Sequence, residues 1–197
     1  MFLLLAAFAT AQTYGATPPP PPAPPPGPIA MERVETQGPG RLTVSSPSFG
    51  DGQPIPARYS RYYSNVSPPL RWTAVRRART YALIVDDPDG KRKPVTHWTA
   101  WNLTATRLPE QVPTDARLDS PAGVQGTTTM GSTGYAGPHP PLGDPPHHYH
   151  FQVFALDMPL SVPPAADRET LLAAMKGHVL ARGELIGLYA QGEATGK

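Results

Sequence analysis

The chain of 197 residues has no cysteine. This excludes disulfide staples, thiol catalysis and thiolate metal sites. Charge is sparse, at 16% Asp, Glu, Lys and Arg, and the net charge is only +2. No basic stripe forms. One group, Arg76, Arg77 and Arg79, is a solvated turn, and no nucleic-acid-binding motif accompanies it. Long apolar runs are also missing. Phe2 to Ala9 is the longest N-terminal stretch. It falls well short of the roughly 20 residues that a membrane-spanning helix needs. Two catalytic signatures are absent as well. There is no His-Glu-x-x-His, and Ser132 stands in Gly-Ser-Thr-Gly rather than Gly-x-Ser-x-Gly.

Proline, in contrast, is abundant at 28 residues. Pro18 to Pro28 is nearly all proline, broken by Ala23 and Gly27. Such a run favours extended polyproline II and acts as a stiff spacer with nothing to pack. Before it, the short apolar run and the small-x-small triplet Ala9-Thr-Ala11 have the pattern of a secretory signal, without a basic n-region. The expected organisation is a signal over 1–11, a Pro-rich linker over 12–40 and one domain over 41–197. The expected location is secreted or periplasmic.

Within the domain, period-2 and continuous apolar runs mark strands. These are Leu42 to Val44, Tyr59 to Tyr63, Ser67 to Trp72, Tyr81 to Asp86, His97 to Leu103 and Tyr149 to Leu156, with Leu185 to Tyr189 as the last. Residues 104–146 are rich in Gly, Pro, Thr and Asp. A long loop of this kind inside a compact domain is usually functional. One helix is expected. Leu171, Leu172, Met175 and Val179 have helical spacing, with Asp167 as N-cap and Gly183 beyond the end. Many strands and one late helix predict a mainly β fold: an antiparallel β-sandwich with a C-terminal helix packed on it.

The chain is organised around Tyr81-Ala-Leu-Ile-Val-Asp-Asp-Pro-Asp-Gly90, a buried strand that delivers carboxylates into a turn. Side chains alternate across a strand. Odd positions therefore group Asp87 with Asp89, the extended register carried through Pro88. On the next strand they group His97, Thr99 and Trp101. On the later one they group His147, Tyr149, Phe151 and Val153, with His148 and His150 opposite. An Asp at a strand end commonly caps its own turn, and Trp72, Trp98 and Trp101 are core aromatics. His178, on the helix, has no assigned role. The glycine-rich stretch 131–143 is expected to aim backbone N–H groups at an anion. Two acids, two histidines, a tyrosine and that loop would suit a small phosphate- or carboxylate-bearing ligand.

Four motifs in order carry a family resemblance. They are Asp87-Pro-Asp89, His97-Trp…Asn102, the loop through Gly134, Tyr135, Gly137, Pro140, Pro141 and Gly143, and His147-x-Tyr149-x-Phe151…Ala155-Leu-Asp157. Together, from about Leu42 to Tyr189, they resemble the phosphatidylethanolamine-binding protein family, above all its bacterial Raf-kinase-inhibitor-like branch. The resemblance implies a β-sandwich with an anion pocket at one end. It implies ligand contacts at Asp87, Asp89, His97, His147, Tyr149, Gly134, Tyr135, Gly137, Pro141 and Gly143. It also implies lipid-headgroup binding coupled to a protein partner. The insert Gly90-Lys-Arg-Lys-Pro94 and His139 depart from the family pattern. No catalytic residue, cofactor or metal is assigned. Three other readings compete: a metal-dependent hydrolase built on His139, His147, His148, His150 and the Asp cluster, a serine hydrolase at Ser132, and a scaffold acting through its polyproline arm.

Overall fold

The computed structural model describes residues 28–91 and 94–192. The signal-like start and most of the polyproline run lie outside them. Among the described residues, ten strands form two sheets. The smaller contains β1 (Val44–Ser45), β3 (Leu70–Trp72) and β6 (Arg107–Leu108), in the order β1-β3-β6. The larger contains β2 (Gln53–Pro54), β4 (Thr80–Asp87), β5 (Val95–Leu103), β7 (Arg117–Asp119), β8 (Ala122–Gln125), β9 (His147–Leu156) and β10 (Val179–Tyr189). Its order is β2-β10-β9-β4-β5-β8-β7, antiparallel except for the parallel β2–β10 pair.

The large sheet is covered on both faces, which explains the unbroken apolar run of β4. Leu83 and Val85 join Trp72, Trp98, Tyr149 and Phe151 in the core between the sheets. Ala82 and Ile84 point the other way, into a second core with Trp101, Phe154, Leu171, Leu172 and Met175. That second core lies under α1 (Ala30–Arg33) and α2 (Arg168–Met175). Each buried Leu or Met contributes about 1.5–3 kcal/mol by leaving water. The fold is therefore a β-sandwich with the C-terminal helix packed on its larger sheet.

Several local expectations are corrected. Tyr59 to Tyr63 is not a strand. Ala57–Tyr59 is a 3₁₀ turn, followed by further turns. The helix is shorter than its periodicity implied. Asp167 does cap it, accepting from the Thr170 N–H at 2.8 Å. However, α2 stops at Met175, and Gly177 takes a positive φ of +81°. Val179 and Gly183 belong to β10, whose alternating burial gives it a clear period of two. The domain also begins before residue 41. Ala30 and Val34 are buried under the second core, and the Ala30 and Met31 N–H groups donate to Asp86 and Gln152 at 2.9 and 2.7 Å. Residues 28–40 are thus part of the fold rather than a free linker.

Candidate functional site

The turn after β4 is set by one side chain. Asp87 Oδ1 accepts from the backbone N–H groups of Asp89 and Gly90, at 2.8 and 3.1 Å. This is the turn-capping role common to Asp at strand ends. Its other oxygen has a different partner. Asp87 Oδ2 accepts from His147 Nδ1 at 2.8 Å, and His97 Nε2 lies 3.9 Å away. Asp87, His97 and His147 are all at least 95% buried. They line a pocket of about 340 Å³ with Val95 and Pro140, while Arg61, Lys91, His139, Pro141 and Asp144 line its more exposed part.

His97 reaches this pocket through an irregularity. β4 and β5 shift register between the Val85–Trp98 and Asp86–Thr96 pairs, so His97 is the extra residue. Such a bulge re-aims a side chain. His97 turns to the inter-sheet face with Trp98 and meets the Tyr149 ring edge-on at 5.1 Å. The expected grouping of His97 with Thr99 and Trp101 is therefore corrected. Trp101 packs in the opposite core, under the helices. On β9, which keeps a regular alternation, Tyr149, Phe151 and Val153 share the inter-sheet core as expected.

Hydrogen bonding fixes which ring atoms face the pocket. His97 Nδ1 lies 2.6 Å from the Ala136 carbonyl oxygen, which can only accept. Nδ1 therefore carries the proton, and in the neutral ring Nε2 presents a lone pair. Burial lowers the His97 pKa below the ordinary histidine value, outweighing the carbonyls of Ala136 and Gly137 and the charge of Asp87. His147 behaves oppositely. Its hydrogen bond to Asp87 raises its pKa against the effect of burial, and Asp89 and Asp144 add to the rise. Its Nε2 lies 3.6 Å from Asp144 Oδ2. The pocket thus combines a histidine–carboxylate pair in which the charged imidazole is favoured with a second imidazole in which burial favours the neutral form.

Other expected ligand contacts lie elsewhere. The Asp89 carboxylate does not join that of Asp87 in the pocket. Its Oδ2 accepts from the backbone N–H of His148 and lies 2.8 Å from the His148 ring, because the Asp-Pro-Asp turn carries it away. Burial raises its pKa, but these two His148 contacts outweigh it and hold the carboxyl low. Tyr149, buried behind His97, is not among the lining side chains. Burial drives its hydroxyl pKa well up.

The glycine-rich loop does not offer its early amides to an anion. The N–H groups of Gly134, Ala136 and Gly137 donate to Gly126 O, His97 O and Asn65 Oδ1. Close packing is what these residues provide. A Cβ on Gly137 would sit 2.0 Å from the Tyr59 carbonyl oxygen. Tyr135 is a core residue whose hydroxyl donates to that same carbonyl at 2.8 Å. Gly143, at φ +87°, shapes the turn between Pro141 and Asp144. The loop thereby positions Pro140, Pro141 and His139, which stacks on Tyr62 at 4.3 Å.

Three contributors escaped sequence reasoning. Asp144 was signalled by its i,i+3 spacing to His147. Arg61 and the Ala136 carbonyl had no local signal, because distant loop packing brings them in. Asn102 is structural: its side chain donates to Leu160 O and accepts from Leu160 N–H, at 3.0 and 2.8 Å. Among the described residues, no cluster of three or more His, Asp or Glu has the geometry to hold a metal ion. His150 pairs with Glu184 and His178 with Asp157, both away from the pocket.

A two-layer sandwich with a helix on one face and an acid–imidazole pocket at its strand ends defines the class of this protein. The chain belongs to the phosphatidylethanolamine-binding protein family, whose family model matches residues 45–190. Among curated relatives, a UPF0098 protein of Pyrococcus horikoshii is 44% identical over 151 residues, covering 75% of this chain and 76% of the relative. Two crystal structures are close. The family homologue CT736 of Chlamydia trachomatis matches with a TM-score of 0.68 at 36% identity, covering 77% of this chain and 99% of its own. Escherichia coli YbcL, described as a new member of the mammalian PEBP family, matches with a TM-score of 0.71 at 26% identity and the same coverage. Among the described residues, no helix is long and apolar enough to cross a membrane.

Proposed function

We propose that the protein binds a small ligand carrying a phosphate or carboxylate, of the phospholipid-headgroup type, and does so without turnover. The observation that carries this reading is the buried Asp87–His147 pair beside His97 in a pocket of about 340 Å³. The pocket is small enough for a headgroup. Imidazolium at His147 supplies positive charge for the anion, and Asp87 retains lone pairs for a cationic or hydroxyl group. Arg61 and Lys91 at the exposed part favour entry of an anion. Family membership supports the same reading. The signal-like start supports export, and the basic insert at 90–94 is the natural place for a partner to touch.

Calorimetric or NMR titration with phosphoethanolamine, inorganic phosphate and acetate tests this directly. Saturable one-site binding that is lost in folded His147→Ala is the expected result. A folded wild-type protein that binds none of the three would refute the reading.

A further inference from the structure

The smaller sheet turns a charged row outward. Leu70, Trp72 and Leu108 are buried in the core between the sheets, while Arg71 and Arg107 are exposed. The register of β3 and β6 places these two arginines directly opposite each other, and Ser45 of β1 stands on the other side of Arg71. The Trp72 N–H donates to Thr106 O at 3.0 Å, so residues 72 and 106 form a hydrogen-bonded pair. By alternation, Arg71 and Arg107 form a non-hydrogen-bonded pair, the kind that brings opposing side chains closest. Like charges set opposite in this way destabilise a sheet. Nothing nearby compensates them. The arginines with ion-pair partners are Arg33, Arg58 and Arg168. Among the described residues, Arg71 and Arg107 have none. Glu110, just beyond β6, is taken by Arg58 at 3.3 Å.

Both arginines line a groove of about 770 Å³ that reaches from β6 to the turn between β7 and β8. Pro47, Pro69, Pro109 and Pro121 give it apolar walls, and Asp119 lines its far side. We propose that this groove is a second ligand site, for a dianionic oxyanion group carried on an apolar body. Two adjacent guanidinium forks match the two charges and several acceptor oxygens of one tetrahedral group. The proline walls take the uncharged remainder, and Asp119 repels a second anionic group. A bound dianion also removes the repulsion between the arginines, which a monoanion does only in part. The groove shares no lining residue with the Asp87–His147 pocket, and the proposal does not rest on that pocket's function.

Phenyl phosphate and benzenesulfonate share a ring but differ in charge at pH 7, above the second phosphate pKa of about 6. NMR titration of the whole protein at low salt follows the guanidinium Cζ signals of Arg71 and Arg107 and the backbone amides of β3 and β6. Phenyl phosphate should shift them saturably and bind about tenfold more tightly than benzenesulfonate. Arg71→Gln and Arg107→Gln should each weaken it about tenfold at this site. Arg76→Gln removes the same charge from an exposed residue outside the groove and should have little effect. A second readout needs no ligand. In urea unfolding at low salt, Arg107→Gln should raise the midpoint above that of the wild type, and added salt should shrink the difference. Equal affinity for the two probes, an equal loss in Arg76→Gln, or a lower midpoint in Arg107→Gln would overturn the site. Shifts confined to His97 and His147 would do so as well, since they would place all binding in the other pocket.

Discussion

Asp86 and Asp87 are adjacent on one strand and therefore face opposite sides of the sheet. Their substitutions should separate cleanly. Asp86 is fully buried and accepts from the Ala30 N–H, Gln152 Nε2 and Thr96 Oγ1, at 2.9, 3.0 and 3.2 Å. Arg168, the first residue of α2, approaches it through Nε and an Nη at 3.0 and 2.9 Å. This ties the helix and the N-terminal segment to the sheet. Arg168→Met keeps the apolar stem but strands the carboxylate. Breaking one side of a buried pair costs about 3–5 kcal/mol. At about 2–4 °C per kcal/mol for a domain of this size, Tm should fall by roughly 6–20 °C. Adding Asp86→Asn removes the stranded charge but keeps an acceptor, so the double variant should recover part of the loss. Thermal and urea unfolding by circular dichroism measure both. Below the transition, phosphoethanolamine affinity should be unchanged, since the pocket lies on the other face. A loss under about 1 kcal/mol for Arg168→Met, or a double variant no more stable than the single, would refute the argument.

The two pocket histidines give opposite pH signatures. The folded His147 pKa is raised by Asp87, so the stability from this pair is complete below the ordinary histidine pKa of about 6.5 and is lost as pH rises through the higher folded value. His97 is held neutral by burial, so its contribution is complete above about 6.5 and declines as pH falls toward its lower folded value. NMR titration of the ring protons, with His147 moving downward in Asp87→Asn, checks both directions. Gly137→Ala places a methyl against the Tyr59 carbonyl, whose oxygen would be 2.0 Å from the new carbon. It should displace the loop bearing His139 and Pro140 and weaken ligand binding more than tenfold, as titration would show. Asp167→Ala removes the cap of α2 and should cost about 1 kcal/mol in urea unfolding without changing ligand affinity.

What the sequence by itself determined was the material of the fold. The apolar run of β4, the alternation of β9 and the Asp167 cap are local properties, set by side-chain period and backbone hydrogen bonding. The ordered motifs also located Asp87, His97 and His147, and these three do meet. Tertiary structure decided the rest. α2 ends at Met175 because the following residues are taken into a sheet edge, and pairing beside β9 outweighs a helical spacing that would have continued to Val179. Parity could not place His97, because an extra residue in β5 reverses the face assignments that follow it, up to a second register shift before Leu103. Nor could it place Asp89, since Pro88 lies in a turn rather than an extended strand. The tautomer of His97 depends on the Ala136 carbonyl, 39 residues away in the chain. Local patterns fix which residues can pair. Only closure of the sandwich, by bringing distant loops over the strand ends, decides which atoms face one another.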